Sequence, residues 1–90
     1  MLTIFFQYND FNKMDQNQKA FRIKLGRRIE QIRTEKKIEQ GELASMINKD
    51  KQFINRYERQ GANPTAFILV QIADALGTTA NDLLDFTQVK

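Results

Sequence analysis

Lys51, Gln52, Asn55 and Arg59 carry the chemistry that most needs placing in this chain. At helical spacing they fall on one side of a segment whose other side is made by Ile54 and Tyr57, three residues apart. The outward side therefore presents a row of donors and acceptors of the kind that read the edges of nucleic-acid bases. The rest of the composition removes the competing chemistries. The chain has no cysteine and no histidine. The usual nucleophile–base pairs and zinc ligands are thus missing, and only carboxylates and lysine remain as candidates for catalysis. We expect no enzyme, no metal and no cofactor.

The elements that must position that polar face can be read from the preceding residues. Leu43, Ala44 and Ile47 recur at helical spacing and bury one side of a short helix, with the small Ala44 where two helices approach. Asn48 follows, and among residues other than glycine it tolerates a left-handed backbone best, so the first helix is expected to end there. Asp50 is a good N-cap, because its carboxylate accepts from the free N–H groups that open the next helix, predicted to begin at Lys51. Two short amphipathic segments joined by a turn, the second with a polar face, have the sequence form of a helix-turn-helix, in which the second helix enters the DNA major groove.

Ninety residues make one domain with a single modest core. The net charge of +3 is unevenly spread. Arg22, Lys24, Arg27, Arg28, Arg33, Lys36 and Lys37 stand against Glu30, Glu35 and Glu39, whereas after Gly61 Asp74, Asp82 and Asp85 face Lys90 alone. One end suits a polyanion, although the Arg27–Arg28 pair taken by itself reads equally well as a solvated helix face. The apolar opening MLTIFF is too short to span a membrane and has no basic region before it, so the expected setting is cytoplasmic.

Residues 1–16 lack a helical period and are expected to form an N-terminal arm outside the core, with the DNA-binding domain occupying 17–90; Met14 is an alternative start, which would leave 1–13 as an upstream extension. From about Asn17 the spacing of Phe21, Leu25, Ile29 and Ile32 predicts a helix ending near Lys37, and Gly26 within it marks close approach by another element. Further helices are predicted over about 40–47 and 51–59. Pro64 is placed at the first position of a fourth, whose buried stripe is Leu69, Ile72, Ala73 and Leu76 and whose stop is a left-handed Gly77. Thr79 caps a last short helix containing Leu83 and Leu84. The expected fold is all-α, a compact bundle of five short helices.

From Leu25 to Leu84 the chain resembles the Cro and phage-repressor-type helix-turn-helix domains, through LGRRIEQIR, the Gln40–Ala44 run, INRYER, NPT, and IADALG before DLL. The small stand-alone repressors and controller proteins are the most similar in style. The resemblance implies a lambda-repressor-like five-helix fold, a homodimer on a pseudo-palindromic operator and double-stranded DNA as the partner. It implies that Lys51, Gln52 and Asn55 meet bases, lysine suiting guanine and an amide suiting adenine. Gln40, Arg56, Arg59 and Asn63 would contact phosphates. Arg33 and Glu58 match a structural ion pair between the first and third helices, and Phe53 is expected to pack rather than to touch a thymine methyl.

The departures from the pattern carry expectations of their own. Glu39 stands where a capping Thr or Ser is usual, and Gly41 weakens the first turn of the second helix. Gln60 replaces a common glycine, with Gly61 one residue later, so the end of the third helix is expected to shift by one. Phe67 and Ile68 take positions that are commonly polar, which marks a contact surface. Leu2, Ile4, Phe5 and Phe6 are expected to meet it, within one chain or across a dimer. The leading function is a sequence-specific transcription regulator. The alternative is an antitoxin-type interaction module that neutralises a toxin or other protein partner and also binds DNA.

Overall fold

A computed structural model describes residues 8–89, with side chains from residue 16 onward. Five helices follow in order: α1 (Tyr8–Glu35), α2 (Gln40–Met46), α3 (Lys51–Gln60), α4 (Ala66–Ala75) and α5 (Ala80–Leu83), then a single 3₁₀ turn over Phe86–Gln88. No strand occurs among the described residues, and no described helix is long and apolar enough to cross a membrane.

The core is built by the stripes the spacing predicts. Leu25, Ile29 and Ile32 of α1 meet Leu43, Ala44 and Ile47 from α2 and its end, Ile54 and Tyr57 from α3, Ile72, Ala73 and Leu76 from α4 and its end, and Leu83 of α5. Phe21 is an exception. It is 42% exposed and lies edge-to-face on Phe86, ring centroids 5.3 Å apart, so it belongs to a seam between α1 and the chain's last turn rather than to the core. Leu69 is only partly buried, and Leu84, after the end of α5, is exposed.

The longest helix differs most from expectation. α1 is already helical at Tyr8, the first described residue, rather than from near Asn17, and its described span is 28 residues, about 42 Å at 1.5 Å per residue. Residues 16–20, five in a row, are all exposed, and a helix stretch without a buried face writes no amphipathic period into the sequence. The expected contacts of Leu2, Ile4, Phe5 and Phe6 lie outside the described residues.

The first four helices stop by one device. Lys37, Asn48, Gly61 and Gly77 are all left-handed, with φ of 58°, 63°, 66° and 68°. The next residue's N–H then reaches back into the finished helix: Ile38 to the Arg33 carbonyl at 3.0 Å, Lys49 to Ala44 at 2.8 Å, Ala62 to Arg56 at 3.1 Å and Thr78 to Ala73 at 2.9 Å. Such bonds satisfy carbonyls that would otherwise be orphaned. Asn48, Gly61 and Gly77 are the predicted positions, including the one-residue shift at the end of α3. Lys37 carries no residue-type signal.

Helix starts follow the side-chain caps. Asp50 accepts from the Phe53 N–H at 2.9 Å and opens α3 as predicted. Thr65, not Pro64, opens α4: its hydroxyl accepts from the Ile68 N–H at 3.1 Å, and Pro64 lies before it in the connecting loop. A side-chain cap satisfies an orphan donor directly, which a proline at the first helical position does not. Glu39 caps α2 despite its type, with the Glu42 carboxylate accepting from the Glu39 N–H at 3.1 Å. Asp50→Ala is expected to cost about 1 kcal/mol, lowering Tm by about 4–8 °C; a thermal melt followed by circular dichroism checks this, and an unchanged midpoint would show that the cap is dispensable.

Candidate nucleic-acid interface

α3 is held against α1 and α2, and this decides which of its side chains point outward. Gly26 of α1 lies directly on the Tyr57 backbone, where an added Cβ would overlap the Tyr57 carbonyl oxygen and come within 3.2 Å of the Glu58 Cα. Ile54, Tyr57 and Glu58 are buried by that contact and by α2. Phe53 is half-buried, edge-to-face with Tyr57 at 5.1 Å, in agreement with its expected packing role. Lys51, Gln52, Arg56 and Arg59 remain exposed, and Asn55 is half-buried between them and α2.

Arg33 and Glu58 form the expected pair, and its geometry is bidentate. Arg33 Nε donates to Glu58 Oε2 at 2.7 Å and Nη2 to Oε1 at 2.9 Å, while Nη1 donates to the Ile38 carbonyl at 2.7 Å. The Glu58 side chain is 0% exposed and that of Arg33 10%. The hydrogen bond to Glu58 outweighs burial and raises the Arg33 pKa above its ordinary value. One guanidinium thus ties together the end of α1, the approach to α2 and the middle of α3.

Gln40, at the first position of α2, extends this network to the polar face. Its Nε2 donates to Glu58 Oε1 at 2.9 Å and approaches Asn55 Oδ1 at 3.4 Å. A primary amide has two N–H donors, and the short bond is the one to Glu58. Asn55 Oδ1 keeps a second lone pair and its NH₂ stays free, so it can still both donate and accept. Gln40, Lys51, Gln52 and Asn55 line a shallow cleft of about 390 Å³ between α2 and α3.

The remaining predicted residues are placed apart from that cleft. Arg56 lies over the Phe53 ring, 5.7 Å from its centroid, with Lys49 also 5.1 Å from it. Arg59 pairs with Glu30 of α1 at 2.6 Å, its side chain 64% exposed. Asn63 is exposed in the α3–α4 loop, beside Asn17 and Gln18 of α1. Two features escaped the sequence. Nothing in residue type singles out Glu30 as the partner of Arg59. The Arg27–Arg28 pair divides: Arg27 is exposed, whereas Arg28 is buried, donating to the Asp82 carbonyl at 2.9 Å and to Gln31 at 3.0 Å, and so pins α5 to α1.

A short helix set against a second helix, whose outward face bears lysine, glutamine, asparagine and arginine side chains on a rigid mount, defines a helix-turn-helix DNA-binding domain. The comparisons agree. The helix-turn-helix family model matches residues 29–83, and the chain belongs to that family, in its Cro and phage-repressor form. Over 55 residues, 61% of its length, the chain is 40% identical to multiprotein-bridging factor 1 of Candida albicans, of which the match spans 36%. Its fold is similar to that of the restriction-modification controller protein C.AhdI from Aeromonas hydrophila, with a TM-score of 0.68 and 28% identity, covering 71% of this chain and 97% of that one. The family and the fold are those of DNA-binding transcription regulators.

Proposed function

We propose that this chain is a sequence-specific transcription regulator that acts as a homodimer on a pseudo-palindromic operator, with α3 of each protomer in the major groove. The observation that carries the reading is the orientation of α3: its apolar and ionic side is locked by Gly26, Arg33 and Glu58, and its free side bears Lys51, Gln52 and Asn55. Lysine reaches guanine O6 and N7, and the two amides pair with adenine N6 and N7. Arg56, Arg59 and Asn63 supply phosphate contacts that set the register. Gln40, at the start of α2, supplies a further phosphate contact, and its bond to Glu58 and approach to Asn55 in the free chain also orient Asn55.

The homodimer rests on the symmetry such operators demand, with half-sites about 34–36 Å apart. It also rests on exposed apolar side chains: Phe67 and Val70, three residues apart on α4, are 69% and 47% exposed. Ile68, grouped with Phe67 in the sequence, packs against the core instead. The controller protein of similar fold and a family defined by DNA recognition both favour this reading over a pure protein-interaction module.

The test is a titration of the purified chain against DNA from upstream of its own gene and against random duplex at two salt concentrations. A preference of about 10³-fold or more for one site is expected, with Gln52→Ala and Asn55→Ala each removing about 1–3 kcal/mol of discrimination. Binding that ignores sequence and vanishes at moderate salt would overturn it.

A further inference from the structure

Arg59 and Glu30 meet at the rim of a second cleft, of about 300 Å³, between α1 and the C-terminal turn of α3. Ile23, Arg27, Glu30, Glu58, Arg59 and Gly61 line it. Arg27 stands three residues before Glu30 and is exposed, and among the described residues no carboxylate lies within ion-pair distance of it. Arg59 follows Asn55 by four residues, so it occupies the same face of α3 about 6 Å further along the helix axis. The cleft therefore continues the base-reading face toward α1 and is edged by two guanidiniums, with the Glu30 carboxylate between them and the Arg33-paired Glu58 in its wall.

The geometry points to this cleft as a DNA backbone phosphate site in which Arg27 and Arg59 are the donors and Glu30 is an internal stand-in for the phosphate, holding Arg59 until DNA displaces it. The inference rests on the DNA-binding reading above. A guanidinium presents a planar fork that suits carboxylate and phosphate oxygens alike, so the same Arg59 donors exchange one partner for the other. The free-state pair is built for exchange: the Glu30 side chain is 27% exposed and that of Arg59 64%, against 0% and 10% for Glu58 and Arg33. An exposed pair is weak and screened by salt, whereas a phosphate in a polyanion adds counterion release to the same contact. Pairing also orders Arg59 before DNA arrives, which lowers the rotamer entropy lost on binding. Glu30 competes with the phosphate for the Arg59 guanidinium, so it weakens binding overall while setting where Arg59 points.

The assignment is tested by measuring affinity for a mixed-sequence 24-base-pair duplex across a salt series, with a thermal melt of each variant to confirm folding. Arg27→Ala is expected to reduce the slope of log K against log salt by about 0.9, the loss of one phosphate contact. Glu30→Gln is expected to tighten binding about three- to fivefold, the size of an exposed ion pair's contribution. In an Arg59→Ala background that gain should shrink toward nothing, because the carboxylate acts through Arg59. Glu35→Gln removes one negative charge from an exposed position on the same helix and serves as the control for net charge. The assignment is overturned by an unchanged slope in Arg27→Ala, by unchanged or weaker binding in Glu30→Gln, or by an equal gain in Glu35→Gln. A wild-type chain that binds no duplex at low salt would instead overturn the DNA-binding reading, and this site with it.

Discussion

Gly26→Ala is expected to remove most of the protein's stability, although it adds a single methyl group. The Cβ would fall on the Tyr57 carbonyl oxygen, and the next atoms it meets, the Tyr57 carbonyl carbon at 3.0 Å and the Glu58 Cα at 3.2 Å, are also backbone. A flexible side chain can swing aside, but here the α1–α3 crossing itself must open, which separates Arg33 from Glu58 and lifts Leu25 and Ile29 from Ile54. A cost of about 3 kcal/mol or more follows, the upper end of what overpacking produces, and with it a fall in Tm of more than about 10 °C. The internal comparison is Gly41→Ala in α2, where an added Cβ has nothing within 4 Å. There the methyl group brings only helix propensity, a gain of up to about 0.5–1 kcal/mol. Paired melts of the two variants check both signs. Equal midpoints would show that the α1–α3 contact is looser than the backbone geometry requires.

Glu58→Ala should rank beside it. Removing the carboxylate leaves the Arg33 guanidinium in a nearly closed site with the Ile38 carbonyl as its remaining partner. An unpaired buried charge costs about 3–5 kcal/mol. A urea titration should show the midpoint shifted far down, with little dependence on salt because the pair is shielded from solvent. Replacing both members, Arg33→Met with Glu58→Leu, removes the desolvated charges together and should recover much of the loss. That double variant separates two roles: it would be folded, yet Gln40 would have lost its acceptor on Glu58, so selectivity among DNA sites should fall even though stability is restored. If the double variant reads DNA as the wild type does, the network contributes only to stability.

How much of this was legible in the sequence depended on whether a residue's role is local. Helix ends at Asn48, Gly61 and Gly77 and the Asp50 cap follow from the backbone preferences of single residue types, and the core stripes follow from period. Gly26 could be marked as a close approach, because only a missing side chain explains a glycine in mid-helix, but the atom it approaches could not be named. The helical stretch of α1 before Asn17 was missed, because a stretch such as the exposed residues 16–20 writes no apolar period. Pro64 was misplaced because a threonine beside a proline offers two ways to open a helix, and the hydroxyl satisfies a donor. At the site, the outward row on α3 was readable from spacing alone, and the resemblance supplied the Arg33–Glu58 pair. The bond from Gln40 to Glu58 and the hold of Glu30 on Arg59 depend on the crossing of helices distant in sequence, which no local pattern encodes.

The bond from Gln40 to Glu58 bears on how such a protein can change its target. Lys51 and Gln52 are exposed and carry no hydrogen bond to the fold among the described residues, so on the proposed reading exchanging them alters what is recognised and little else. Asn55 cannot be exchanged so freely, because its neighbour Gln40 also completes the shell around a buried carboxylate. If α3 reads DNA as proposed, retargeting this chain, by selection or in the laboratory, is open at two positions and conditional at a third: new preferences at Lys51 and Gln52 arise one substitution at a time, whereas a new residue at Asn55 must be accepted by Gln40 before it can be tried on DNA.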